Sequence, residues 1–204
     1  MARDVFGSGR SGDGDGGGAS RADAGRQPIL GYASGTLIDT PSGARPVEAL
    51  CAGDRVETLD HGPMTVRWVH TEIQVLGGLG AAGRPVLIRA GAFGPGCPSR
   101  DLMVAAQHRI LVGALGQLDG AFGGQCLAPA RGLARLPRGR PMMERREMPG
   151  RHFALDSHEV VRANGCHSET LCLTAAAVRG LRPIPRRRLQ LVGKSTVNLV
   201  EIMV

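Results

Sequence analysis

Two stretches of this 204-residue chain carry side chains that could move a proton. "RDLMVAAQHRILV" (Arg100–Val112) holds His108, and "LDSHEVVRANG" (Leu155–Gly165) holds Asp156 and His158. Histidine changes charge near neutral pH, so a positioned imidazole can give or take a proton during a reaction. Residues two apart on a strand share a face, and the spacing predicts a carboxylate beside an imidazole at Asp156 and His158. Each also has a plainer reading: His108 as a satisfied histidine on an ordinary strand, Asp156 and His158 as a surface pair or a turn cap.

A nucleophile is harder to find. The five cysteines, Cys51, Cys97, Cys126, Cys166 and Cys172, are odd in number and irregularly spaced, with no CxxC. That argues against a zinc knuckle or a disulfide framework and for reduced, partly buried thiols. His61 in "DHGP" reads as turn chemistry, and His70, His152 and His167 lack the spacing of a metal site. No metal and no cofactor are expected.

The elements that must position these groups are short. "GTLIDT" (Gly35–Thr40) alternates as a strand, and "PSGA" (Pro41–Ala44) supplies the residues of a tight turn. "RPVEAL" follows as a second extended segment. Gly53–Asp54 turns the chain, the Asp side chain pinning the turn, before a strand from Arg55 to Leu59. "HGP" (His61–Pro63) turns again, and Met64–Val75 reads as one longer strand with Trp68 as a core anchor. β-rich runs sit in "RPVLIRAGAFG" and around His108, and Gly113–Gln125 is loop. Leu127–Leu136 holds one helical turn, and Arg151–Gly165 is a strand pair. Turns every 8–12 residues with short strands between them predict an all-β fold.

Composition agrees. Glycine and proline exceed a fifth of the chain, and aromatics are only 3%, so the core must be built from Leu, Val, Ile and Ala. Residues 1–27 are a Gly/Asp/Ser-rich tail that cannot bury a core. Residues 28–182 read as the folded domain, and 183–204 as a Pro/Arg linker with an apolar tail. The formal charge is +7, carried almost wholly by arginine, since Lys194 is the only lysine. The arginines are scattered except in "PRRRLQ" (Pro185–Gln190), which argues against nucleic acid as the partner. No run approaches the ~18 apolar residues of a membrane span, and the N-terminal stretch has no apolar h-region. The expectation is a chain without membrane span or signal peptide, cytoplasmic or non-classically secreted.

Three pieces in order, Gly31–Gly62, Arg100–Val112 and Leu155–Gly165, resemble the Hint domain shared by inteins and Hedgehog autoprocessing domains. The likeness is greatest to the bacterial stand-alone subfamily that opens Cys-Phe-x-x-Gly-Thr. The pattern "GT-x-I-x-T-x-x-G-x-x-x-V-E-x-L-x-x-GD-x-V-x-T" runs here from Gly35 to Thr58, and the resemblance extends from about Gly31 to about Leu171. It implies a Hint fold of pseudo-symmetric halves and an N-to-S acyl shift. In that chemistry a first-position cysteine attacks the preceding carbonyl, and a histidine of the second motif assists departure of the amide nitrogen.

Transferred to this chain, that histidine is His108, and its usual Ser/Thr neighbour three residues earlier is Ala105. Asp156 and His158 come from the third motif. The cysteine position is Gly31, followed by Tyr32, so the nucleophile is lost; Ser34 and Cys51 are the nearest alternatives. Gly165 is followed by "CHSETL", without the His-Asn pair of a splicing terminus. The resemblance therefore implies self-cleavage of the chain's own N-terminal segment, by a site that has become degenerate. The competing expectation is a non-catalytic β-module with an unknown protein partner. In the relict reading, Gly31→Cys should revive cleavage if the pocket survives.

Overall fold

Alternating burial and turn residues account for the first hairpins. The structure, a computed structural model, describes residues 31–171. The glycine-rich stretch 1–27, the outer margins of the 28–182 span and the 183–204 segment lie outside the described residues. β1 (Tyr32–Ala33) turns at Ser34–Gly35 into β2 (Leu37–Thr40), which pairs with β3 (Gly43–Pro46). Thr40 stands opposite Gly43, so Pro41 and Ser42 close that hairpin as expected. A 3-10 turn at Val47–Ala49 leads to β4 (Arg55–Thr58) and β5 (Gly62–Thr65). Ile38 and Val56 point inward from β2 and β4, alternating with more exposed neighbours. Asp54 does pin its turn, accepting the Cys51 N–H at 2.8 Å. That bond, with Arg45 beside it, holds the Asp54 carboxyl below the usual carboxylate range.

Met64–Val75, expected as one strand, is two. β5 stops at Thr65 and β6 spans Trp68–Val75. Between them Val66 exchanges backbone hydrogen bonds with Gly53 and Asp54, while the Arg67 N–H turns to the Ala154 carbonyl. The chain leaves one sheet and enters the other there, and a period-two pattern cannot register such a crossing. Trp68 is buried as expected and stacks on His70 with ring centroids 5.4 Å apart.

The remaining elements are β7 (Val86–Ile88), β8 (Leu102–Val104), β9 (Arg109–Val112), β10 (Cys126–Pro129) and α1 (Ala130–Leu133). β11 (Gly139–Pro141), β12 (Glu147–Ala154), β13 (Val160–Ala163) and β14 (Cys166–Glu169) complete the described chain. Every strand pairing is antiparallel. One sheet runs β11-β7-β8-β1-β12-β6; the second runs β10-β9-β14-β13-β2-β3, with β4 joining at β13 and carrying β5. Both contribute to one apolar core, Val86, Leu102 and Phe153 from the first sheet meeting Ile38, Ile110 and Val161 from the second. Among the described residues no helix is long and apolar enough to cross a membrane.

Arg151–Gly165 does contain two strands, but they are not partners. β12 belongs to the first sheet and β13 to the second. Asp156, Ser157 and His158 form the bend between them, so Asp156 and His158 do not share a strand face. β13 pairs instead with β14, across a two-residue turn with Asn164 at φ 49° and Gly165 at φ 76°. Asn-Gly suits a turn whose two central residues both need positive φ.

Candidate functional site

Gly31 stands at the end of β1, the strand threaded between β8 and β12. Tyr32 is opposite Arg151 on one side and Val104 on the other. Continuing that register by one residue puts Gly31 beside His152 and Ala105. Its carbonyl indeed accepts the Ala105 N–H at 3.0 Å. Ala105 opens a tight turn, closed by the His108 N–H on the Ala105 carbonyl at 3.0 Å, and that turn swings His108 over Tyr32. The two rings meet edge to face with centroids 4.4 Å apart. Gly31, Tyr32, His108, His152, Thr170 and Leu171 thus border a cavity of about 10 Å³, close to the smallest that holds one water.

Gly31 has φ 151°, a conformation that side-chain-bearing residues rarely adopt. A Cβ placed on it would lie 2.8 Å from His152 Cε1, 3.0 Å from His152 Nε2 and 3.2 Å from the Arg151 carbonyl oxygen. The place where a side chain at position 31 would project is therefore taken by the His152 imidazole.

Both histidines are buried, and neither nitrogen of either ring has a hydrogen-bond partner. Burial pushes His108 down to about 4, with His158 adding to the shift and Glu169 opposing it. Burial likewise pushes His152 down to about 3, reinforced by His70 and His108. Both rings are neutral at physiological pH, able to accept a proton but unable to serve as stored acids. Tyr32 donates its hydroxyl proton to the Glu169 carbonyl at 2.9 Å, with Ser168 Oγ 2.8 Å away; burial drives its phenol far up, so it stays protonated.

Of the third motif's pair, only His158 reaches toward this region. Its Nε2 lies 3.1 Å from Glu169 Oε2, while Glu169 Oε1 accepts the Arg109 N–H at 2.9 Å. Asp156 is exposed and held by Arg67 in a bidentate pair, with Nε to Oδ1 at 2.8 Å and Nη2 to Oδ2 at 2.8 Å. It does not border the cavity. Nor do Ser34 and Cys51, the alternative nucleophiles, both exposed at turns. His61, read as turn chemistry, bonds Glu159 Oε2 through Nδ1 at 3.0 Å.

Two residues enter the site that sequence spacing did not single out. His152 could have been noticed because it falls in the inward-facing row of β12, with Met148 and Gly150, where an apolar residue is the default. Glu169 had no comparable signal; its importance comes from joining Tyr32, Arg109 and His158 across two sheets. Among the described residues no three His, Cys, Asp or Glu side chains are grouped to hold a metal ion.

Comparison with known proteins assigns the chain to a family. The family model described as the Hint domain matches residues 30–175. Among solved structures, the MchDnaB-1 intein is 15% identical, covers 69% of this chain and 99% of its own, and superposes with a TM-score of 0.42. The bacterial intein-like domain from Clostridium thermocellum is 12% identical, with coverages of 70% and 98% and a TM-score of 0.46. No curated protein matches the chain. With the family model spanning well over half of its residues, the chain belongs to the Hint domain family.

Proposed function

We propose that this chain is a Hint-type autoprocessing domain by descent, related to those that cut the peptide bond ahead of their first residue, and that its self-cleaving chemistry has been lost. One observation carries the reading: glycine occupies the nucleophile position, and the His152 ring stands where the nucleophilic side chain would project. Cleavage by acyl shift requires a thiol or hydroxyl there, because the thioester or ester is the intermediate that splits one hard step into two easier ones. His108 remains at the assisting position, without the helper hydroxyl that Ala105 replaces. Asp156 has no part in the site. His158, held by Glu169, is at most a positioning group for the turn that carries His108.

Removing the nucleophile of a serine-protease triad leaves about 10³–10⁴-fold acceleration over water, far below the factors by which enzymes make slow reactions useful. Restoring a thiol with Gly31→Cys does not by itself revive cleavage in this reading. The new Cβ meets His152, and the backbone at φ 151° resists any side chain.

The test is intact-mass spectrometry of the purified full chain, incubated with and without a strong thiol or hydroxylamine. A single full-length mass under both conditions is expected. Thiol-dependent cleavage ahead of Gly31 would overturn the proposal and point to another nucleophile.

A second reading, a non-catalytic module for a protein partner, is favoured by β6. It is an edge strand of its sheet, with Ile73 at 65% and Val75 at 53% exposure. Exposed edges are where extended segments add by strand pairing. Loss of binding on Ile73→Lys, with unchanged folding, would distinguish it once a partner is in hand.

A further inference from the structure

We propose that Cys97 and Cys166 form a two-thiol modification site that closes reversibly to a disulfide, a latch on the β13–β14 hairpin separate from the chemistry at Gly31. The chain around Cys97 is folded against the tip of that hairpin. The Ser99 N–H and Oγ both donate to the Asn164 carbonyl, at 2.8 and 2.9 Å. The Cys97 thiol donates to the Gly165 carbonyl at 3.7 Å, one residue short of Cys166. Cys97 is itself held on both sides, its N–H on the Gly94 carbonyl at 3.0 Å and its carbonyl on the Phe93 N–H at 2.8 Å. Both side chains belong to the same apolar core, and the Cys166 thiol points to its own neighbour, donating to the His167 carbonyl at 3.8 Å, one residue from the carbonyl that Cys97 meets.

The two thiols are unequal in the way that a reacting and a resolving cysteine must be. Cys97 is 9% exposed and Cys166 fully buried. The contact with Cys166, aided by the Arg162 guanidinium, holds the Cys97 thiol below its usual range, while burial pushes Cys166 well above it. Thiolate character and access select the cysteine that an oxidant meets first, and here both select Cys97.

With hydrogen peroxide as oxidant, the Cys97 thiolate attacks one peroxide oxygen and the O–O bond breaks. The products are a sulfenic acid and hydroxide, which takes a proton to become water. The Cys166 sulfur then displaces the sulfenic oxygen; the S–S bond forms, the S–O bond breaks, and the Cys166 proton leaves in a second water. Two electrons pass from the sulfur pair to the peroxide. A dithiol reductant reverses the step by exchange through a mixed disulfide.

The bridge would close a ring of about 70 residues, long enough to restrict the unfolded chain substantially. It would also anchor the hairpin whose far strand carries Ser168 and Glu169, the partners of Tyr32. The irregular cysteine spacing argues against a standing disulfide framework; a conditional pair is a different arrangement, visible only once the hairpin and the Gly94–Ser99 loop are packed together.

The test uses the full chain, reduced and then titrated with hydrogen peroxide, with residual thiols alkylated and the protein digested without reduction. A Cys97–Cys166 linked peptide is expected, with a rise in Tm of about 10 °C that dithiothreitol reverses and that Cys97→Ser abolishes. Before oxidation, Cys97 should be alkylated faster than Cys166. Cys166→Ala serves as the second variant if Cys97→Ser fails to fold, and should leave Cys97 as an uncrosslinked sulfenic or sulfinic acid. Linkage of either cysteine to Cys51, Cys126 or Cys172 instead, or alkylation of both at every peroxide level, would overturn the proposal.

Discussion

Around Gly31, the rings of His108 and His152 stand without a single hydrogen-bond partner, whereas beyond the end of β12 the rings of His61 and His158 each meet a buried carboxylate. Both regions are built from the same residue type, and they differ in what burial was allowed to cost. At the bend, Glu159 and Glu169 accept imidazole protons, and the bond from Glu159 raises the His61 pKa. At Gly31 the nearest carboxylate, Glu72 Oε1, stops 3.9 Å from His152 Nε2, beyond hydrogen-bonding distance, so desolvation wins and both rings lose their charge. A partnered histidine there would be cheaper for the fold.

That contrast can be broken first by acid. The folded pKa values of His108 and His152 lie below the unfolded value near 6.5. The unfolded chain therefore takes up protons that the native state refuses as pH falls. Stability is full above about pH 6.5 and declines toward pH 4, each ring costing on the order of 3 kcal/mol by then. Urea unfolding from pH 7 to pH 4 should show that steep limb, and His152→Gln should remove roughly half of it. A flat profile would mean that the rings find partners in solution.

Next comes the carboxylate that organises the opposite region. Glu169→Ala strips a partner from His158 and the acceptor from the Arg109 N–H at a buried position, and should lower stability by about 3 kcal/mol. A loss no larger than that of a surface residue would show that Glu169 is a bystander. Gly31→Ala should follow at about 2 kcal/mol, from positive-φ strain and the contact with His152. If that variant is neutral, the His152 ring moves aside readily and the pocket is open to a restored thiol. Smallest of all, Asp156→Ala breaks only an exposed pair with Arg67 and should leave the urea midpoint unchanged.

The strand and turn layout was largely legible in the chain. Asp54, the Pro41–Ser42 turn and the Asn164–Gly165 turn all behave as their residue types dictate, because turn chemistry is local. His108 was legible only through the motif that surrounds it. The failures share one cause. The Val66–Arg67 crossing and the parting of β12 from β13 are decisions about which sheet a segment joins, and they depend on acceptors far away, such as the Ala154 carbonyl. Asp156 and His158 looked like strand neighbours because a period of two was assumed across residues that the chain uses to change sheets.

By itself the sequence determined that the chain is all-β and that no side chain stands at position 31. Those properties follow from composition, from local turn preferences and from a side chain that is not there. Only the tertiary structure decided what surrounds the gap. Threading β1 between β8 and β12 brings Gly31, His108 and His152 together from three distant places, and strand register, set by the pairing of Tyr32 with Arg151 and Val104, puts an imidazole where a side chain at position 31 would project. Register is a property of neighbouring strands, and no single segment carries it.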